Sequence, residues 1–225
     1  MSAGVLLVIA ALIPAMVLHE LAHGLVAWWL GDDTAKSRGR LTLNPLKHID
    51  KFGSILLPLL LAAGQIAAFG QVRFLYGWAK PVPVNFHNLR WGRYRDPRRL
   101  MGLVALAGPA SNFVQAIFGG LALHGGSFTD FWLFYIEINL VIGLFNLTPL
   151  LPLDGGRILL ALLPLPLARG YARLEKYGLL LVFVVLFGIP LLLPGGYDPV
   201  NMALNKILPL AENMVLTLTG NANGS

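Results

Sequence analysis

Apolar residues fill positions 4–30 almost without a break, and the run stops at Gly31-Asp32-Asp33. At 1.5 Å per residue, a helix of that length crosses the roughly 30 Å hydrocarbon core of a bilayer. The following stretch, TAKSRGRLTLNPLKHID at residues 34–50, is polar, alternates in Arg40-Leu41-Thr42-Leu43 and turns at Asn44-Pro45. It predicts a small hairpin or sheet at the membrane surface. Residues 52–70 are apolar again but carry Pro58 and Gly64, and clearer apolar segments follow at about 100–123, 131–148 and 178–194. Residues 198–225 predict a short surface helix near 200–218 and a loose Asn/Gly-rich tail. Val5–Met16 has the hydrophobicity of a signal peptide, but no basic residue precedes it, and it reads as retained structure.

Composition agrees with a membrane chain: 56% of the 225 residues are hydrophobic and only 12% are charged, whereas a soluble domain needs more polar cover. The formal charge of +6 does not point to nucleic acid, because the basic residues lie between apolar segments, where they set orientation. Twelve of the 17 Lys and Arg residues fall within 31–51 and 71–99. If residues 52–70 crossed the membrane once, these two basic stretches would face opposite sides, against the cytoplasmic bias of Lys and Arg. A re-entrant segment keeps both inside, and it requires a protein-covered or water-filled cavity nearby. The expected fold is an all-α polytopic membrane protein with four to six transmembrane segments. It includes one re-entrant segment and a small β-hairpin or sheet near residues 34–45 and 77–85. The N-terminus is expected outside. Residues 1–225 read as one domain: helix 4–30, cytoplasmic-side region 31–99, core helices 100–194, and a C-terminal helix and tail over 198–225.

The first apolar run contains AMVLHELAHGLVAWWL, residues 15–30, with His19, Glu20 and His23 inside it. A carboxylate at the centre of a spanning helix costs about 2.5–3.5 kcal/mol on insertion scales, so such groups face protein or water and mark function. Residues i and i+4 share a helix face, so both imidazoles can serve one ion, with Glu20 beside it. The chain has no cysteine, which leaves His, Asp and Glu as ligands. A catalytic zinc takes three protein ligands and a water, and a neighbouring glutamate can accept that water's proton. A buried His/Glu network holding helices together is the bland alternative, and it does not account for the spacing. The longer pattern HExxHxxGxxH is excluded by Val26 and Trp29. Candidate third ligands are Glu137, Asp154 and Glu175, with His48, His87 and His124 more distant. Asp154 lies between the helix breakers Pro149 and Pro152 and the pair Gly155-Gly156. A carboxylate there can point into a cavity; the bland reading is a cap on the helix starting near Gly156, and capping and ligation are compatible.

Five motifs in order, HELAHG at 19–24, LTLNPLKHID at 41–50, GWAKPVPVN at 77–85, GPASN at 108–112 and NLTPLLPLDGG at 146–156, give a resemblance to a known family. The chain resembles the site-2 protease family of intramembrane zinc metalloproteases, in its compact prokaryotic branch with an N-terminal HExxH. The resemblance covers roughly residues 4–195. It implies one Zn2+ per chain held by His19, His23 and Asp154, Glu20 as general base, and Asn146 near the scissile peptide. It also implies cleavage of transmembrane segments of membrane proteins in a prokaryotic plasma or inner membrane. Lys51 departs from the proline that relatives often carry there, and no PDZ-like insertion is present. Gly108 reads as permitting close helix packing. Asn112 reads as a hydrogen-bonding residue in the core and a candidate substrate contact. The proline-bearing edge with Lys80, Pro81 and Val82 is a candidate for pairing with an unwound substrate strand. The run Arg90–Arg99 suits anionic lipid headgroups. The rival readings are a metal transporter and a catalytically idle relative.

Overall fold

The computed structural model describes residues 3–71, 77–90, 96–192 and 198–221. In chain order the α-helices are α1 (Ala3–Trp29), α2 (Thr34–Ser37), α3 (Leu57–Phe69), α4 (Pro97–Ala122), α5 (Thr129–Asn146), α6 (Asp154–Leu162), α7 (Leu165–Ala172), α8 (Gly178–Phe183), α9 (Ile189–Leu192) and α10 (Pro199–Leu218). Two helical stretches, Leu6–Trp29 and Pro97–Gly125, are long and apolar enough to cross a bilayer.

The centre is built around α4, against which α1, α5 and α6 all pack, with α1 also against α5. Ala11, Ala15, His19, His23 and Ala27 form a single i, i+4 stripe on α1, buried except for the half-buried His23. Alanines on this stripe let neighbouring backbones come close, which is how membrane helices associate without a hydrophobic force between them. The opposite side of α1 exposes Leu6, Val8, Ile9, Ile13, Leu25, Trp28 and Trp29. Asp96 caps α4 by accepting from the Arg98 N–H, with Pro97 in the first turn. Inside, α4 buries Gly102, Ala105, Gly108, Asn112, Ala116 and Gly119 among others. α10 packs through Val215 against Ala116, Ile136 and Leu140. Its end is tied to α4, since Asn221 Nδ2 donates to Gly120 O at 2.7 Å and His124 Nε2 lies 2.6 Å from Thr219 O.

The expected interruption of residues 52–70 takes a different form. The segment is one helical run, π-helical over Lys51–Leu56 and α-helical over Leu57–Phe69, and Gly64 does not break it. Pro58 has no N–H for the carbonyl four residues back, and its ring crowds that carbonyl. A wider turn ahead of it relieves the crowding. The same device recurs at Val184–Gly188, ahead of Pro190.

The expected hairpin is absent. Among the described residues there is no strand, and both 34–45 and 77–85 are described. Side chains take the backbone groups that a ladder would use. His48 Nε2 lies 2.9 Å from Thr42 O, and Arg40 Nη2 donates to Lys80 O at 2.7 Å. Val82 N donates to Glu20 Oε2 and Asn85 N to Asp32 Oδ2. Pro81 and Pro83 have no N–H to offer. Residues 77–85 form an extended strap beside the end of α1, its Val82 N–H on Glu20 and its Asn85 N–H on Asp32. Within the Arg90–Arg99 run, residues 91–95 fall outside the described residues, as do residues 193–194 and 222–225.

Candidate metal centre

His19 and His23 stand one turn apart on α1, and Asp154 is the first residue of α6. The N-cap of α6 is Leu153, and Asp154 stands in its first turn. The Asp154 carboxylate meets the two imidazoles: Oδ2 is 3.2 Å from His19 Nε2 and 3.3 Å from His23 Nε2, and the two Nε2 atoms are 3.1 Å apart. Donors bound tetrahedrally at 2.0–2.1 Å from zinc stand roughly 3.3 Å from one another. The three atoms therefore form one face of a tetrahedron of the size zinc requires.

Proton positions follow from acceptors that cannot reverse. Tyr135 O accepts from Asn139 Nδ2 at 2.8 Å, which turns Asn139 Oδ1 towards Asn112 Nδ2 at 2.9 Å. Asn112 Nδ2 also donates to Ala15 O, so Asn112 Oδ1 faces His19 Nδ1 at 2.6 Å and that nitrogen is the donor. On the second ring, His23 Nδ1 donates to Val104 O at 2.7 Å. With Nδ1 protonated on both neutral rings, each Nε2 presents a lone pair. Asp154 Oδ2 is buried and has no hydrogen-bond partner among the described residues. Three such atoms converging at this spacing form a set that could hold a metal ion, and outer bonds of this kind are what hold metal-binding histidines in one tautomer.

Local sequence explains how α6 delivers the carboxylate. Residues 147–153 turn tightly, with Leu150 N donating to Thr148 O at 2.7 Å and Leu153 N to Leu150 O at 2.8 Å. Gly156 packs on this turn so closely that a Cβ would come 2.6 Å from Leu151 N. On α4, Gly102 lets α6 approach, since a Cβ there would stand 2.5 Å from Ala161 Cβ. Gly108 serves the metal centre directly. A Cβ at this position would stand 2.5 Å from His23 Cε1 and 2.6 Å from His19 Cε1, so the residue expected to allow helix packing makes room for both imidazoles.

Glu20 is half-buried, and its Oε2 accepts from Val82 N at 2.8 Å. Two substrate-contact expectations change. Asn112 is wholly buried, and its amide is engaged by His19, Ala15 and Asn139, which leaves it no exposed surface for a substrate contact. Along Lys80-Pro81-Val82, the backbone groups that an added strand would need are engaged: Lys80 N with His48 O, Lys80 O with Arg40, and Val82 N with Glu20. Asn146 ends α5 and donates from Nδ2 to Ile142 O at 3.0 Å. The other candidate ligands lie elsewhere. Glu137 lines a cavity of about 350 Å³ with Asp130 and Glu212, and Glu175 faces Arg157 at 3.5 Å. His48 and His124 contact backbone carbonyls, and His87 is exposed. Asp32, at the end of α1, is a buried carboxylate that the sequence reading passed over.

The family model for Peptidase family M50 matches residues 119–189, which include Asp154. A Bacillus subtilis protein named "Putative zinc metalloprotease YwhC" is 41% identical over 196 residues, covering 81% of this chain and 80% of that protein. The chain belongs to peptidase family M50, the site-2 protease family. It is a zinc metallopeptidase by family, and zinc is the cofactor that the His19, His23 and Asp154 donor set fits. Two M50 relatives described in the same words are the Rip2 proteins of Mycolicibacterium smegmatis and Mycobacterium tuberculosis. They are 33% and 31% identical over 80% and 76% of this chain. The chain spans 66% and 57% of their lengths. No solved structure is a significant match to this M50 chain.

Proposed function

We propose that this M50 peptidase hydrolyses peptide bonds in or beside transmembrane segments of membrane-protein substrates, as in regulated intramembrane proteolysis. The observation carrying this reading is the convergence of His19 Nε2, His23 Nε2 and Asp154 Oδ2 within 3.1–3.3 Å on a helix of membrane-spanning length. Zinc bound there supplies a Lewis acid and brings the pKa of a coordinated water towards about 7. Glu20 Oε2 is occupied by the Val82 N–H. Oε1 is the atom assigned to take a proton from the attacking water and return it to the leaving amine. Asn146 is assigned to the substrate carbonyl, where a fixed amide donor stabilises the charge that develops on oxygen. It is supported by its place at the end of α5, directly before the turn that carries Asp154.

The substrate must unwind locally, because helical hydrogen bonds otherwise occupy its carbonyls. The protein is assigned to a prokaryotic plasma membrane as a multi-pass chain with its N-terminus outside. The active site then lies nearer the cytoplasmic face, because the strap beside Glu20 belongs to the basic stretch 71–99 and the basic stretch 31–51 follows α1 directly.

The test uses protein purified in detergent and a quenched fluorescent peptide containing a 20-residue apolar segment. Wild type and Glu20→Gln are expected to hold a single zinc per chain, Asp154→Ala to lose it, and only wild type to cut. A Glu20→Gln protein that cuts at the wild-type rate removes the general-base assignment. A zinc-loaded wild type that cuts nothing favours transport or an idle relative.

A further inference from the structure

Glu20 does not stand alone in the fold. The strap that reaches it is anchored on both sides. Upstream, Ser54 Oγ donates to Trp78 O at 2.7 Å, Lys80 N donates to His48 O at 2.8 Å, and Arg40 donates to Lys80 O. Downstream, Asp32 gathers the chain. Its Oδ2 accepts from Asn85 N at 2.6 Å, and its Oδ1 accepts from Asn88 Nδ2 and Thr34 N, each at 3.1 Å. Thr34 Oγ1 donates to the same oxygen. Arg90 N closes the turn on Leu30 O at 2.7 Å. The carboxylate is fully buried, yet no Lys or Arg pairs with it among the described residues. A buried carboxylate is tolerated when N–H and O–H donors replace its water, and Asp32 has four.

Between these anchors the chain reads Pro81-Val82-Pro83. Proline has no N–H, so Val82 holds the one backbone donor in the triplet, and that donor is 2.8 Å from Glu20 Oε2. The Val82 side chain is buried, in the space that Gly24 leaves on α1, where a Cβ would come 3.0 Å from Val82 Cγ1. The strap therefore has one register against α1.

We propose that Asp32 is a positioning residue for Glu20: by fixing Asn85 it sets the strap, and the strap's Val82 N–H holds one carboxylate oxygen so that the other faces the site. The inference rests on Glu20 acting as general base. Displacing a base by about 1 Å costs up to a hundredfold in rate even when the change is remote from the chemistry.

Amide hydrogen exchange over residues 79–86 and cleavage of the quenched peptide test it together, with zinc content measured on the same samples. Glu20→Ala should speed exchange at the Val82 amide at least tenfold and retain zinc. Glu20→Gln, which keeps an acceptor oxygen, should preserve the protection while losing turnover. Asp32→Asn can keep its Oδ1 for Thr34 and Asn88, and then sets an amide N–H against the Asn85 N–H. It should speed exchange at Val82 and Asn85 and lower kcat about 10- to 100-fold, with KM within twofold and zinc unchanged. Asn88→Ala removes one half-buried donor and should move both readouts in the same direction by less, which carries the test if Asp32→Asn fails to fold. Unchanged Val82 exchange in Glu20→Ala overturns the contact. A wild-type kcat in a variant whose Val82 amide exchanges freely, or a kcat loss matched by zinc loss, overturns the positioning role. A wild type that never cuts the peptide removes the general-base reading and this proposal with it, whereas equal cutting by wild type and Asp32→Asn removes the proposal alone.

Discussion

Gly108→Ala adds one methyl to α4 at the point where that helix faces both histidines. The new Cβ would lie 2.5 Å from His23 Cε1 and 2.6 Å from His19 Cε1. Carbon atoms in contact prefer about 3.5–4.0 Å, so each ring must give by about 1 Å. Neither ring can retreat freely, because His19 Nδ1 is tied to Asn112 at 2.6 Å and His23 Nδ1 to Val104 O at 2.7 Å. Both acceptors sit on α4 itself. Moving α4 away from α1 carries the acceptors with it and stretches both bonds beyond hydrogen-bonding range. Overpacking of this kind costs about 1–3 kcal/mol, and alanine recovers roughly 0.5–1 kcal/mol over glycine in a helix. A net loss of about 1–2 kcal/mol leaves the protein folded. The larger effect falls on the metal, since disturbing the bonds that orient zinc-binding imidazoles lowers affinity about 10- to 100-fold. Chelator competition on detergent-purified protein reads the affinity, and thermal melts of the metal-free form read the stability. Gly64→Ala, where a methyl meets nothing within 4 Å, is the control. A folded Gly108→Ala protein with wild-type zinc affinity would refute the reasoning.

Asn112→Ala should weaken zinc binding about 10- to 100-fold by freeing the His19 tautomer, measurable in the same competition assay. It also leaves Asn139 Oδ1 without its donor, at roughly 1–3 kcal/mol. Gly156→Ala should cost zinc as well as stability, because its methyl would press on backbone at Leu150 and Leu151 rather than on a side chain that can turn away. Asp32 gives a pH signature. Burial pushes its carboxyl up, but the bonds from Thr34, Asn85 and Asn88 outweigh burial and hold it below the ordinary value of 3.8. Its contribution is therefore present above that value and is lost as pH falls through the lower folded one. Melts between neutral pH and pH 3 should show less acid destabilisation in Asp32→Asn than in wild type.

Residue spacing made much of the site legible. The i, i+4 pair His19 and His23 with Glu20 between them is a property of any helix, and a charged group in an apolar run demands a reason before any fold is known. The third ligand was different. The proline break and the glycine pair singled out Asp154 among the candidates but left ligation undecided, and the five-motif resemblance then implied it. The β expectation failed for a physical reason. Alternation in Arg40-Leu41-Thr42-Leu43 and an extended proline edge describe chains that could pair, but pairing depends on free N–H and C=O groups. Here Glu20, Arg40, Asp32 and His48, all distant in sequence from the groups they engage, had already taken them.

By itself the sequence determined the local quantities: an apolar helix of spanning length, the shared face of two imidazoles, a proline-broken turn before Asp154, and a Pro81-Val82-Pro83 triplet with a single N–H. These follow from periodicity and covalent structure, which need no partner. The tertiary structure decided everything that depends on which groups meet. It brought Asp154 Oδ2 within 3.2–3.3 Å of both imidazoles, turned each Nε2 inward through Asn112 and Val104, and set Gly108 against the rings. Packing of α4 against α1 and of α6 against α4 fixes those distances. Whether a small residue serves two helices or two zinc ligands cannot be read until the helices are in place.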